Sequence, residues 1–183
     1  AWSGADELAV VDRALSSAAA QVPGAADTIA RLRERAARLC AQAPSMPPVL
    51  LHRDFYPDQA LVDGSCAWLI DLDLAARGDR HVDLGNMLAH LAEFGLRRFG
   101  RAGALDAQAA SFLAGYGTAG GTWSTQALRD MLWISLLRHL HICLQLGDRS
   151  HVFPELLDHL SPPSPADAPS VLPHSADPGR EIS

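Results

Sequence analysis

The spacing of apolar residues changes twice along the chain, and these changes set out its organisation. From Glu7 to Ala20 the sequence is alanine-rich with few breakers and predicts a helix. A second helix is predicted from about Ala25 to Ala41. Ile29, Leu32, Ala36 and Leu39 are spaced for one face, and Arg31, Arg35 and Arg38 fall on the other. The run "PSMPP" then stops helix formation, because proline lacks an amide donor and restricts the residue before it.

Beyond that stop the period shortens. "VLLH" and "QALV" suit short strands, and Asp63-Gly64 between "ALV" and "AWLI" is a turn signal. The prediction is a strand, a loop rich in polar side chains, and a two-stranded hairpin with Trp68 packed beneath it. After Asp83 the helical period returns, with Leu84, Met87, Leu88, Leu91 and Phe94 forming an apolar stripe. A shorter helix is predicted from Asp106 to Leu113. A long one runs from Gln126 to Leu146, ending before Gly147, a residue type suited to the position after a helix. "PELLDHL" predicts a last amphipathic turn or two. From about residue 162 the sequence turns to "SPPSPADAPS" and lacks the apolar side chains that offset chain ordering, so 162–183 is expected to be a loose tail. Residues 1–161 then form one mainly α-helical α+β body.

Composition narrows the function. Hydrophobic residues are 48% and charged residues 20% of the 183, which suits a folded globular body. The net charge of -6 gives no basic footprint for nucleic acid or an anionic membrane surface. All fifteen basic residues are arginine, so chemistry that needs a lysine on a phosphate or in a Schiff base has none in this sequence. Cys40, Cys66 and Cys143 fit neither a disulfide framework nor a zinc site, and are expected to be buried thiols in a reducing compartment. No apolar run approaches about 20 residues. The expected location is the cytoplasm.

The hairpin region carries the candidate chemistry. Counting outward from the turn brings Gln59 opposite Asp71, to within about one residue of register. The hairpin mouth would present an amide and a carboxylate together, with Asp54 on the loop before the first strand. Magnesium is held by oxygen ligands, commonly one or two carboxylates plus phosphate. A carboxylate set apart from those ligands can position a hydroxyl and accept its proton. Phosphoryl transfer follows as one reading; an acidic, solvated loop is the plainer alternative.

The ordered pieces "HRDFYPDQ", "LIDLD", "GD" and "DLGNM" resemble the catalytic half of the aminoglycoside phosphotransferase and choline kinase family, whose fold is that of the protein kinases. The resemblance runs from His52 to Gly85 and implies the C-terminal lobe of a protein kinase-like fold, with its catalytic loop and metal-binding hairpin in 49–73. By this resemblance Asp54 orients the acceptor hydroxyl. His52 and Arg53 support the loop. Asp71 binds magnesium and the nucleotide phosphates, Gln59 stands where the family has asparagine, and Asp73 gives a weaker contact. Asp83 is implied to accept backbone hydrogen bonds from the loop, with helix capping as the alternative. The implied cosubstrate is ATP with Mg2+. The implied partner is a small-molecule hydroxyl acceptor: an aminoglycoside, amino alcohol or sugar, with the acids favouring a cation.

Two departures matter. Glutamine adds a methylene and rotamer freedom at position 59, which weakens it as a magnesium ligand. No G-x-G-x-x-G precedes the hairpin, so the N-terminal lobe that clamps ATP is expected to be absent from this sequence. The chain alone is expected to bind ATP poorly and to turn over negligibly. The rival readings are a catalytically impaired ligand-binding module, for which Gln59 is the warning sign, and a metal-dependent hydrolase built on Asp54 and Asp71.

Overall fold

A computed structural model describes residues 1–43 and 46–161; the expected tail at 162–183 lies outside the described residues. Ten elements follow in order: α1 (Gly4–Gln21), α2 (Ala26–Gln42), β1 (Val49–Leu51), β2 (Ala60–Asp63), β3 (Cys66–Leu69), β4 (Ala76–Gly78), α3 (His81–Phe99), α4 (Asp106–Thr118), α5 (Thr125–Gln145) and α6 (Phe153–Leu160). The architecture is mainly helical α+β.

The core is organised around α5. Its run of apolar residues is buried on nearly every side, with Leu128, Leu132, Ile134, Leu136, Leu137, Leu140 and Cys143 all shielded from solvent. Burying one such leucine fully contributes about 1.5–3 kcal/mol. Val11, Leu15 and Ala18 of α1 pack on one side of α5, and α3 packs on another. The α3–α5 contact depends on Gly85. A Cβ there would sit 2.8 Å from Met131 Cγ and 2.9 Å from the Leu132 amide nitrogen. On α2 the predicted stripe is inward at Ile29, Leu32 and Ala36 and half-buried at Leu39. Arg35, assigned to the polar face, lays its guanidinium over the buried Trp133 ring at 4.3 Å.

Two small antiparallel sheets stand beside the helices. β2 pairs with β3, from Ala60 with Leu69 to Asp63 with Cys66. The turn residues are therefore Gly64 and Ser65, with a positive φ of 58° at Gly64, the pattern of a hairpin turn with glycine first. The second sheet was not foreseen: β1 pairs with β4, Val49 with Gly78 through Leu51 with Ala76. Trp2 extends it through an isolated parallel bridge to Gly78.

Several expectations are corrected. Trp68 is 51% exposed rather than packed away, and Cys66 on the same strand is exposed; Cys40 is half-buried and Cys143 buried. Phe94 lies off the buried face of α3, which continues through Ala92 and Leu96. α4 runs five residues past Leu113, to Thr118. Gly147 is not left-handed; the glycines of positive φ that follow helices are Gly100 after α3, at φ 66°, and Gly120 after α4, at φ 86°. No helix among the described residues is long and apolar enough to cross a membrane.

Candidate active site

The site is built where β1 hands the chain to a tight loop. Leu51, the last β1 residue, is buried, and the next two amides both end on one carboxylate. The His52 N–H donates to Asp83 Oδ2 and the Arg53 N–H to Asp83 Oδ1, each at 2.7 Å. Asp83 is the third residue of α3, inside its first turn rather than at its cap. Burial pushes the Asp83 carboxyl above the usual carboxylate range, against the pull of these two donors.

The same two residues hold the segment that follows the hairpin. The His52 ring is buried, and its Nε2–H donates to the Ile70 carbonyl at 2.7 Å. The Arg53 guanidinium donates to the Leu74 carbonyl at 3.1 Å and lies over the Trp2 ring, 3.2 Å from its centroid. His52 and Arg53 thus grip the chain on either side of Asp71 and Asp73.

Backbone strain coincides with this grip. Arg53 (φ 71°) and Asp71 (φ 59°, ψ 56°) are the only non-glycine residues with positive φ among those described. A left-handed L-residue costs roughly 1–2 kcal/mol, so both need the surrounding bonds to persist.

The register at the hairpin mouth is one residue from the expected one. The Ile70 N–H donates to the Gln59 carbonyl at 3.1 Å, so Gln59 stands across from Ile70 and Asp71 is one residue further on. The left-handed backbone at Asp71 takes it out of strand alternation. Gln59 is buried at 5% exposure, whereas Asp71 and Asp73 are exposed. Asp54 is about one-third exposed and lies 3.8 Å from Arg138 Nη2. Asp54, Asp58 and Asp71 converge electrostatically on Tyr56: burial first, then these three negative charges, raises its phenol above the usual value.

Asp79 serves the helix entry instead. The His81 N–H and Nδ1–H both bond its Oδ1, at 3.0 and 2.6 Å. Burial works against ionisation of Asp79, but the His81 bonds outweigh it and hold the carboxyl below its usual range. His81 Nε2 accepts the Ser124 N–H at 3.0 Å, which ties α5 to the same corner.

Other groups at the site carried no role in the sequence reading. Asn86 Nδ2 donates to the Phe55 carbonyl at 3.0 Å, and Arg138 Nη1 donates to Asn86 Oδ1 at 3.4 Å. Tyr56 stacks on His90 at 4.4 Å, and the His90 and His139 rings meet edge to face at 4.5 Å, although 49 positions separate them in sequence. A signal for Arg138 exists: it is a lone cation inside the apolar run "MLWISLLRHL".

A cavity of about 310 Å³ lies against the loop, lined by His52, Phe55 and Asp83 on one side and by Phe112 and Tyr116 of α4 on another. Trp133 is core and Trp123 half-buried. "GYGTAG" at 115–120 has phosphate-loop spacing, but it lies at the C-terminal end of α4. The N–H groups of Ala119, Gly120 and Gly121 there are taken by the carbonyls of Gly115, Gly117 and Tyr116. It offers no cradle for an anion.

The donor set is hard. Asp71, Asp73 and the Gln59 amide offer only oxygen to a cation, and no group of three His, Cys, Asp or Glu residues among those described could hold a metal ion. Oxygen donors of these types suit magnesium shared with phosphate oxygens rather than zinc.

Fold and site together define a mainly helical α+β protein in which a strained His-Arg-Asp loop is clamped to an aspartate that follows a hairpin. Residues 1–131 match the phosphotransferase enzyme family (APH), and the chain belongs to that family, the one its motif order resembles. The comparison found no match among curated proteins or solved structures.

Proposed function

We propose that this phosphotransferase moves the γ-phosphoryl group of ATP to a hydroxyl of a small molecule, and that the described residues form the C-terminal lobe of a protein kinase-like fold. The observation that carries the reading is the double grip. One carboxylate, Asp83, fixes the His52 and Arg53 amides, and those side chains in turn fix the segment bearing Asp71. Geometry of this kind holds Asp54 and Asp71 in a fixed relation, and catalysis by positioning requires that.

In this reading Asp54 orients the acceptor hydroxyl and takes its proton as the oxygen attacks phosphorus. Asp71 holds magnesium, Gln59 contributes through whatever part of its amide stays accessible, and Asp73 supports them from the exposed turn. Magnesium, when bound, would neutralise charge on the nucleotide phosphates. The exposed Asp58 and the other acids favour a cationic acceptor such as an aminoglycoside or amino alcohol. The groups that clamp the nucleotide are assigned to an N-terminal lobe outside these 183 residues, so weak ATP binding and negligible turnover are expected of this chain by itself.

One observation favours a second reading. The burial of Gln59, longer than the family's asparagine, suits a relative with impaired metal binding. Magnesium-dependent protection by ATP, measured in a two-lobed protein carrying this chain, separates the two. The expected result is protection that survives Asp54→Asn while turnover disappears. A two-lobed protein that binds no ATP with magnesium would remove the phosphotransfer reading.

A further inference from the structure

Arg138 reaches the loop from the middle of α5 and meets acceptors from three other segments. Its Nη1 donates to Asn86 Oδ1 on α3 at 3.4 Å, its Nη2 lies 3.8 Å from Asp54 Oδ1, and its Nη1 lies 4.0 Å from Glu7 Oε1 on α1. Asn86 in turn binds the Phe55 carbonyl, next to Asp54. Glu7 is the unusual member. It is 3% exposed, its Oε2 accepts from Trp2 Nε1 at 2.9 Å, and its Oε1 has no hydrogen-bond partner among the described residues.

A buried carboxylate with one bare oxygen is costly unless a cation stands near it. Arg138 is that cation, and it divides its charge between the buried Glu7 and the accessible Asp54. Other ionisable groups share this neighbourhood: His90 on α3 and His139 on α5 feel the Arg138 charge, and the largely buried Asp83 feels that of Glu7.

We propose that Arg138 is the positioning residue for Asp54: hydrogen-bonded to Asn86 and drawn by the buried Glu7 carboxylate, its guanidinium charge, 3.8 Å from Asp54 Oδ1, holds that carboxylate in the orientation that receives the acceptor hydroxyl. This rests on the phosphotransferase reading for its purpose, though not for its geometry. The planar fork directs one N–H bond to Asn86 while its charge acts on both carboxylates, a combination an ammonium reproduces only in part. The arrangement also links the first helix to the loop, since Trp2 contacts both Glu7 and Arg53.

The first test needs no turnover. In the 15N-labelled chain, the Arg138 guanidinium should show separate Nη signals, as expected when its rotation is hindered by several partners. Asp54→Asn and Glu7→Gln should each shift or merge them. Freely averaged signals in the wild-type chain, or signals indifferent to Asp54→Asn, would overturn the proposal.

The second test is kinetic, in a protein competent for transfer. Arg138→Met should lower kcat by about tenfold or more and leave the nucleotide KM within about twofold, and Arg138→Lys should recover part of the loss. A wild-type kcat in Arg138→Met would overturn the proposal. If that variant fails to fold, Glu7→Gln, which keeps the shape and drops the buried charge, carries the same comparison. A wild-type protein that transfers nothing while its Arg138 signals still respond to Asp54→Asn would sink the functional reading and support the ion-pair assignment.

Discussion

Replacing Asp83 with asparagine isolates the contact on which the loop geometry turns. The carboxylate now accepts two N–H bonds at 2.7 Å, one on each oxygen. Asparagine keeps one acceptor and turns an NH2 group toward the other amide, so one bond is lost and one N–H is left facing a donor. Losing a hydrogen bond to a charged group costs about 1.5–3 kcal/mol. A further cost comes from the Arg53 backbone, whose left-handed conformation loses support. Part is offset because the buried charge disappears, and burial already disfavours ionisation of Asp83. The net expectation is about 2–3 kcal/mol, concentrated at His52 and Arg53. Amide hydrogen exchange reads this directly. These two amides should exchange roughly 30- to 150-fold faster in Asp83→Asn, at about tenfold per 1.4 kcal/mol. Amides inside α5 should change much less. If His52 and Arg53 keep their protection relative to α5, the carboxylate clamp does not hold the loop and the reasoning fails.

Three other outcomes are expected from the same contacts. Asp54→Asn should reduce kcat on the order of 10²–10⁴-fold with nucleotide affinity nearly unchanged, measured as ATP binding beside turnover in a two-lobed protein. Gly85→Ala should cost about 1–3 kcal/mol in urea unfolding, because its Cβ has nowhere to go between Met131 and the Leu132 backbone; an unchanged midpoint would refute the close approach of α3 and α5. The pH dependence follows from His90. Burial first, then the Arg138 and Arg149 charges, depresses it from 6.5 to about 4. Its contribution is therefore present above pH 6.5 and lost as pH falls toward 4. The loss is on the order of 3 kcal/mol at most, since each tenfold fall in proton affinity is worth about 1.36 kcal/mol. His139, pushed further down by burial, acts in the same direction. Denaturant midpoints between pH 7 and 4 should fall less steeply in His90→Phe, and an equal slope would count against this assignment.

What the sequence determined by itself is the local part. Apolar periodicity places α2 and α3, because a helix that buries one face must repeat every three to four residues, while α1 follows from alanine richness and α5 from a long run free of Gly and Pro. The hairpin was legible from its β-formers and glycine turn, and the family from the order of short motifs between His52 and Gly85. What only the tertiary structure decided is everything that joins residues far apart. The motif order implied that Asp83 accepts backbone bonds from the loop, and the structure identifies the donors as the His52 and Arg53 amides. β1 pairing with β4, Trp2 lying beneath Arg53, and Arg138 poised between Glu7 and Asp54 leave no periodic trace, because each is a local meeting of distant segments set by packing, with no repeat for a pattern to reveal. The register at Gln59 and Asp71 sits between these cases. Turn chemistry limited it to within about one residue, and the left-handed backbone at Asp71, imposed by its surroundings, settled the rest.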